Sequence, residues 1–374
     1  MLSTHNMGAV SVQPSELSAM QASDYILHGR DGKLEKVCVE KTRLPRDPRG
    51  HTQRLCLVQA PNGTIYAAQH TLLHRSTDGG KTWEHLKRDP DVCDGWRLQF
   101  GDDGAMLNVR PPVPDTPPTM WASHDEGGTW RQIGQIDVGT PEVLSVGFCM
   151  TRLDDGTLLV PVLVGADRIG NREAAEVMPA RCRIYRSRDG GRTWPEYALL
   201  GEWCCEVNVT QLPPGRLLAA IRYQRPSLPD DPPDLLERTG ALEARHTFPY
   251  KHVFVAHSDD AGLTWTPPRQ LATVLGQCYG YGVGLAHNRA VVITDHRYPR
   301  NMSSARAVVS HDGGETWRDE VYYLSHGNAA GYAATICLDG KEMLTLTGSC
   351  YGDVSSWDNC IGNTDFAVIR WRLV

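Results

Sequence analysis

Side chains that can bind an anion or transfer a proton occur near the expected starts and ends of strands in this 374-residue sequence. Arginine guanidinium groups stay charged and hold a carboxylate through two parallel hydrogen bonds. Tyrosine, glutamate and histidine can act as nucleophile, base or acid. The candidates are Arg54, His70, Arg97, Arg110, Glu206, Arg222, Tyr279, His296, Arg297, Arg306, Tyr332, Tyr351 and Asp353. Because they are far apart in the sequence, only a fold that gathers distant strand ends can bring them into one site.

A repeated eight-residue pattern, S-x-D-x-G-x-T-W, indicates the elements that position these residues. The aspartate can accept hydrogen bonds from backbone N–H groups of its own loop, and the glycine can take a positive φ. Five of the ten tryptophans occupy the last position, where an indole can pack between neighbouring units. We therefore interpret the pattern as a structural turn, called the Asp box below, and not as a catalytic site. The five copies are Ser76–Trp83, Ser123–Trp130, Ser187–Trp194, Ser258–Trp265 and Ser310–Trp317.

The spacing of the Asp boxes predicts the fold. It lies at or above the period of about 40–50 residues that marks four-stranded propeller blades, and the chain is long enough for about six such units. We predict an all-β, six-bladed β-propeller with five Asp-box turns. Residues 1–20 are expected to form an N-terminal tail and residues 21–374 a single propeller domain. An N-terminal hairpin around the turn at residues 29–32 is expected to complete the last blade and close the ring.

The turns and loops of such a blade divide between two faces. Short glycine-bearing turns and the Asp boxes lie on one face, whereas the irregular loops surround the mouth of the central channel on the other. We therefore expect a functional site at this mouth. Two long loops, at residues 164–181 and 225–250, are expected to form rims or a lid there.

Composition narrows the classes of partner. The formal net charge is −6 without a charged block, so nothing favours nucleic acid or a membrane surface as a partner. The first thirty residues contain no uninterrupted apolar segment, which leads us to expect a soluble, cytoplasmic protein. The eleven cysteines are scattered without a C-x-x-C pair, so we predict neither a disulfide framework nor a metal site. No cofactor is predicted.

The sequence resembles the sialidase superfamily of six-bladed propellers with BNR or Asp-box repeats. The resemblance covers residues 50 to 374 and is carried by the Asp boxes, by Arg54-Leu55-Cys56, by the segment from Glu206 to Arg222, and by Gly331-Tyr332-Ala333-Ala334. It implies a carbohydrate substrate whose carboxylate is held by three arginines: Arg54, Arg222 and a third, for which Arg297 is preferred over Arg300 and Arg306. Arg97, Tyr279 and His296 complete the expected substrate contacts.

The resemblance also implies catalytic roles. Tyr332 matches the position of the family's nucleophilic tyrosine, although Ala333 and Thr335 depart from the surrounding segment. A tyrosine is a poor nucleophile at its usual pKa near 10, so Glu206 is expected to act as its base. The family's acid/base aspartate has no counterpart, because residues 67–74 lead almost directly into the first Asp box. His70 is the titratable group at that strand end and is expected to take its place.

Three functions remain open at this point. The first is a sialidase-like exo-glycosidase acting on an acidic terminal sugar. The second is a polysaccharide lyase, or an atypical glycosidase, acting on uronate-containing glycans. The third is a glycan- or protein-binding propeller without catalysis. The absent aspartate counts against the first, and the set of Glu206, Tyr332 and arginines counts against the third.

Overall fold

The computed structural model describes residues 12–46, 55–69, 72–88, 97–111, 116–140, 143–147, 149–165, 179–271, 275–297, 300–327 and 332–374. Almost all regular structure in these ranges is antiparallel sheet, with three short α-helices and a 3-10 turn. In the ranges just given, no helix is long and apolar enough to cross a membrane. The helices are α1 (Pro14–Gln21), α2 (Leu235–Arg238) and α3 (Trp357–Gly362), and the 3-10 turn is Arg300–Met302.

The described strands form six antiparallel sheets, which are the blades of a propeller. Three strands precede the first blade: β1 (Tyr25–Arg30), β2 (Lys33–Cys38) and β3 (Glu40–Leu44). Blade one contains β4 (Leu55–Gln59), β5 (Ile65–Gln69), β6 (Leu72–Ser76) and β7 (Glu84–Leu86); blade two contains β8 (Leu98–Phe100), β9 (Met106–Arg110), β10 (Thr119–Ser123) and β11 (Arg131–Gln135). Blade three contains β12 (Val143–Val146), β13 (Thr151–Arg152), β14 (Leu158–Val164), β15 (Arg181–Ser187) and β16 (Glu196–Glu202).

The last three blades complete the predicted six-bladed propeller. Blade four contains β17 (Cys204–Gln211), β18 (Leu217–Arg225), β19 (Tyr250–Ser258) and β20 (Arg269–Gln270). Blade five contains β21 (Gln277–Leu285), β22 (Arg289–His296), β23 (Ser304–Ser310) and β24 (Glu320–Tyr323), and blade six contains β25 (Ala333–Cys337), β26 (Glu342–Cys350) and β27 (Thr364–Arg372). The inner strands β4, β8, β13, β17, β21 and β25 surround the central channel. The predicted fold class is confirmed.

The N-terminal strands close the ring differently from the prediction. Strand β3 pairs with β27 and supplies the outer strand of blade six, whereas the β1–β2 hairpin extends blade five by pairing with β24. The prediction that the hairpin completes the last blade is therefore wrong. A strand of sequence E-K-T-R-L lacks the apolar alternation of a half-buried strand, and only the outer edge of a blade can accommodate it.

The N-terminal segment is also more ordered than a tail. Residues 14–21 form helix α1, which begins with Pro14 at its first turn and buries Leu17 and Met20 completely. These two side chains join the core of blade five. The prediction of a tail at residues 1–20 is wrong for this stretch, because an apolar pair three residues apart is enough to bury one face of a short helix.

Two side-chain hydrogen bonds are common to all five Asp boxes. The serine hydroxyl donates to one oxygen of the aspartate, and the threonine hydroxyl donates to the other. The turns also pack across blade boundaries. Gly80 has a φ of +90°, and a Cβ there would lie 2.6 Å from the side chain of Leu344 in blade six. Because both carboxylate oxygens are used within the turn, these contacts agree with a structural role.

Candidate functional site

Glu206, Arg222 and Tyr332 come from two blades and meet at the mouth of the channel. Glu206 lies in β17 where the pairing register with β18 shifts between Cys204 and Val207, and such an irregularity re-aims a side chain. Arg222 lies in β18, and Tyr332 immediately precedes β25. The side chains of Glu206 and Arg222 are only 6% and 12% exposed, and Tyr332 is 2% exposed.

A continuous hydrogen-bonded chain joins the three residues. The Tyr332 hydroxyl donates to Oε1 of Glu206 at 2.6 Å, and Nη1 of Arg222 donates to Oε2 at 3.0 Å. Nε and Nη2 of Arg222 both donate to Oε1 of Gln224, at 3.0 and 2.7 Å. Gln224 was absent from the sequence prediction. It lies two residues after Arg222 in the same strand, so the two side chains share one face.

The surroundings keep the Tyr332 phenol protonated. Burial raises the pKa of Tyr332 well above its usual value, and the negative charge of Glu206 raises it further, against smaller opposite effects of Arg222 and Arg297. The ring of Tyr279, itself 2% exposed, packs against Tyr332 with centroids 4.6 Å apart. A neutral phenol that already donates to a carboxylate can transfer its proton to that carboxylate when its oxygen begins to bond elsewhere.

Arg297 is held by a carboxylate that the sequence prediction missed. Its Nε donates to Oδ2 of Asp295 at 2.5 Å, and the Asp295 side chain is fully buried. Asp295 belongs to β22, and alternation along a strand predicts that residues 295 and 297 point the same way. That signal was available in the sequence. His296, the residue between them, is also buried.

Two of the predicted substrate-binding arginines make structural contacts. Arg97 is completely buried and donates to the backbone carbonyls of Gly147 and Val146, which joins blade two to blade three. Arg306 lies in the third strand of blade five, donates to Ser304 Oγ and Met302 O, and covers the ring of Tyr323. Burial lowers the pKa of Arg306 to about 10. Neither set of contacts includes Tyr332 or Glu206.

Of the remaining candidate residues, two lie outside the described residues, and the others make contacts away from Tyr332. Arg54 and His70 lie outside the described residues, so the third arginine and the replacement acid stay predictions. Arg110 covers the ring of Trp121, and Arg43 covers the ring of Tyr351. The carboxylate of Asp353 accepts hydrogen bonds within its own loop from Ser355 and Asn359.

The long loop of blade four is ordered beside Arg222. Arg225 makes a two-point ion pair with Asp231, with distances of 2.6 and 2.7 Å, and this pair fixes the beginning of the loop. At its end, Nδ1 of His246 accepts a hydrogen bond from the backbone N–H of Phe248. Burial lowers the pKa of His246, and the charges of Lys251 and Arg222 lower it further. The end of this loop therefore lies near enough to Arg222 for the guanidinium charge to act on His246, whereas its predicted role as a rim or lid stays a prediction and most of the other long loop is undescribed.

Comparisons with known proteins identify related sequences. The family model of the BNR/Asp-box repeat matches residues 74–85 and 308–319. A curated sialidase of Bacteroides fragilis (strain YCH46) is 24% identical over 322 residues, which make up 73% of this chain and 53% of that protein. The chain thus spans about half the length of this relative.

Solved structures share the fold at low identity. The Hadza microbial sialidase Hz136 aligns with a TM-score of 0.57 and 16% identity, over 91% of this chain and 69% of that chain. The GH93 alpha-L-arabinofuranosidase of Fusarium graminearum, solved with arabinobiose, aligns with a TM-score of 0.58 and 14% identity, over 89% and 97%. Such similarity extends over the whole propeller and concerns its fold.

Proposed function

The repeats, the curated relative and the six-bladed fold together support a sialidase-like superfamily, and from this premise we propose that the chain is a glycoside hydrolase with Tyr332 as its nucleophile. The observation that carries the proposal is the 2.6 Å hydrogen bond from the Tyr332 hydroxyl to Glu206 at the mouth of the channel. Phenol and carboxylate are brought together from positions 126 residues apart. Their burial matches a nucleophile that must react away from bulk water.

The proposed first step uses this hydrogen bond directly. The phenol oxygen of Tyr332 bonds to the anomeric carbon, its proton moves to Oε1 of Glu206, and the bond from that carbon to the leaving oxygen breaks. The leaving oxygen takes a proton from a general acid, for which His70 is the candidate from the sequence. In the second step, water bonds to the anomeric carbon and gives its proton to that residue. Tyr332 leaves and recovers its proton from Glu206, so the net reaction is hydrolysis.

The substrate class that we propose is a glycan ending in a carboxylate-bearing sugar. A neutral phenol can approach such a sugar without driving one anion against another. Arg222 and Arg297 both lie close enough to Tyr332 for their charges to oppose the rise in its pKa. An acidic sugar bound at Tyr332 would therefore be attracted by two guanidinium groups. Arg54 would supply a third, as in the family that the sequence resembles. Guanidinium groups are the side chains best suited to a bound carboxylate.

A second candidate is hydrolysis of a neutral terminal sugar. Each guanidinium near Tyr332 in the described part of the site already has a protein carboxylate, because Arg222 pairs with Glu206 and Arg297 pairs with Asp295. This arrangement is closer to charge balance than a site with unpaired arginines, which favours a substrate without a charge. A related fold occurs in a protein named as an arabinofuranosidase.

A panel of fluorogenic aryl glycosides separates these candidates. Purified full-length protein is assayed with sialic acid, hexuronic acid and arabinofuranose conjugates, beside the Tyr332→Phe variant. Release from an acidic conjugate by wild type alone supports the main proposal, and release only from arabinofuranoside supports the second candidate. Ultraviolet absorbance from an unsaturated uronate, formed from an added uronate-containing polysaccharide and without release from any conjugate, would indicate a lyase and overturn both. Glycan binding without turnover would also overturn them.

A further inference from the structure

We propose that Gln21, the last residue of helix α1, is a positioning residue for Tyr332 and Arg297; this inference rests on the proposed hydrolase function. Gln21 is buried and its amide makes three hydrogen bonds to segments that are more than 300 residues away in the sequence. Nε2 donates to His326 O at 2.6 Å and to Cys350 O at 3.0 Å. Oε1 accepts from the Ser349 hydroxyl at 2.5 Å. One side chain therefore joins the N-terminal helix to two parts of the mouth.

The two segments held by Gln21 frame Tyr332. His326 and Gly327 follow blade five and are separated from Tyr332 by a few residues of connecting chain. Cys350 ends β26, the strand next to β25, and its N–H donates to His326 O at 3.0 Å. Within β26, the Thr347 hydroxyl donates to the carbonyl of Tyr332 at 3.2 Å. The Gln21 amide thus bonds both to His326 and to the end of β26, the strand whose Thr347 bonds to the Tyr332 carbonyl.

The same junction extends to the segment that follows Arg297. The N–H of Gly327 donates to Ser303 O at 2.7 Å, and Nε2 of His326 lies 2.9 Å from Asn301 O. Residues 301 and 303 belong to the connection from β22, which ends next to Arg297, to β23. Helix α1 also contacts the 3-10 turn in this connection. A shift at Gln21 would therefore reach the segments beside both site residues.

A primary amide has the donors and the acceptor that this position needs. Its nitrogen supplies two N–H groups for two carbonyls, and its oxygen accepts from one hydroxyl. Glutamate has a similar shape but cannot donate while ionised, and methionine fills the space without hydrogen bonding. Each substitution leaves buried polar groups without their partner, which is costly when water cannot replace it. The rest of α1 is held by Leu17 and Met20, so the helix itself can stay docked.

The test compares Gln21→Met and Gln21→Glu with Leu285→Ala in the full chain. Leu285 is fully buried in the core of the same blade, at the opposite end of β21, so its truncation lowers the melting temperature without touching the junction. With whichever conjugate the panel shows to be hydrolysed, we expect kcat/KM to fall about 10-fold in both Gln21 variants at 25 °C, because a small misplacement of reacting groups is costly. Leu285→Ala should stay within twofold of wild type. Equal losses in all three variants, or no loss in the Gln21 variants, would overturn the proposal.

Amide hydrogen exchange keeps the inference testable apart from catalysis. If wild type hydrolyses no conjugate, the proposed function fails, but the junction is still measurable by mass spectrometry. Peptides covering residues 324–327 and 345–350 should exchange at least about 10-fold faster in Gln21→Met, while β27, the third strand of blade six, is unchanged. Leu285→Ala should leave the first two peptides as in wild type. Unchanged exchange at residues 324–327 in Gln21→Met would show that Gln21 does not position this segment.

Discussion

The described residues include two tyrosine–glutamate–arginine chains of nearly the same construction. At the mouth, Tyr332 donates to Glu206, which pairs with Arg222. On the Asp-box side, the Tyr66 hydroxyl donates to Glu126 at 2.5 Å, and Glu126 pairs with Arg75 at 2.8 Å. The residue types and their order are the same, although Arg75 donates to both oxygens of Glu126 and only the first set belongs to the candidate site.

The difference between the two chains lies in their surroundings. The Glu126 and Arg75 side chains are 37% and 28% exposed, and Arg75 has a second carboxylate partner in Glu84. The chain at the mouth is nearly buried, whereas a second guanidinium acts on the phenol in both chains, that of Arg297 on Tyr332 and that of Arg88 on Tyr66. A hydrogen-bonded phenol and carboxylate are thus not a catalytic site by themselves. What distinguishes the candidate site from the other ion pair is the burial of its glutamate and arginine, at 6% and 12% exposure against 37% and 28%.

Of the substitutions that test the difference between the two chains, Tyr332→Phe should cause the largest loss of activity. Tyr332→Phe removes the nucleophilic oxygen and should lower kcat by at least about 1,000-fold, since no covalent intermediate can form. The matched control, Tyr66→Phe, removes the phenol hydroxyl of the second tyrosine–glutamate–arginine chain and should leave kcat/KM unchanged. Steady-state assays on both purified variants measure the difference. Equal effects of the two substitutions would contradict the assignment of the site.

Glu206→Gln should have the next largest effect. It removes the proton acceptor for Tyr332 while preserving shape, and loss of a general base costs about 100- to 10,000-fold in rate. The effect should be mainly on kcat, and Glu126→Gln serves as the control that loses the corresponding carboxylate on the other face. If Glu206→Gln changed only KM, Glu206 would be a binding residue and not the base.

A smaller effect on activity is expected from Asp295→Asn, which weakens the ion pair that holds the Arg297 side chain. The lost interaction is one charged hydrogen bond, so KM should rise about 10-fold, with less change in kcat. A matched control is Glu342→Gln, which weakens the ion pair with Arg370 near the Asp-box face. An unchanged KM for Asp295→Asn would show that Arg297 does not need this carboxylate to bind substrate.

The Asp boxes should affect stability without affecting catalysis. Hydrogen bonds from the Thr264 side chain and backbone lower the pKa of Asp260 to about 2. A carboxylate with a depressed pKa in the folded state stabilises that state above its unfolded pKa near 4, and this contribution disappears as the pH falls toward 2. Asp260→Asn should lower the melting temperature by about 2–4 °C at pH 7, with unchanged kcat/KM.

The pH dependence of the melting temperature provides the control for the prediction on Asp260. The difference in melting temperature between wild type and Asp260→Asn should shrink as the pH is lowered from 4 to 2. The neighbouring Asp259, which is 72% exposed, should show a much smaller difference at pH 7 when it is replaced by asparagine. A difference that grows in acid would contradict the role assigned to the Asp260 carboxylate.

The sequence predicted the parts of the fold that repeat. Five Asp boxes gave the blade period, because each turn carries its own hydrogen-bonding residues within eight positions. Ring closure could not be predicted in the same way. Strand β3 is charged and lies at an outer edge, so no alternation identifies it, and nothing local shows that the hairpin prefers blade five to blade six. Helix α1 has only Leu17 and Met20 as apolar anchors, which is a weak signal before the surface that they meet is known.

The candidate site, like the fold, could be predicted only in part. Tyr332 and Glu206 were singled out by the family resemblance, but their contact depends on how blades four and six are placed around the channel, with blade five between them. Asp295 could have been found from strand alternation with Arg297. The structural contacts of Arg97 could not, because an arginine at a strand start looks the same whether it faces a substrate or a neighbouring blade's carbonyl groups.

Covalent trapping tests the central claim most directly. Wild type is incubated with a fluorinated glycosyl fluoride of the sugar that the conjugate panel identifies, because the ring fluorine slows hydrolysis of the glycosyl–enzyme intermediate. Intact mass and peptide mapping then locate the label. The claim predicts one added glycosyl group on the peptide that contains Tyr332, and none on Tyr332→Phe. A label on a carboxylate such as Glu206 or Asp295, or turnover of this substrate by Tyr332→Phe at the wild-type rate, would contradict it.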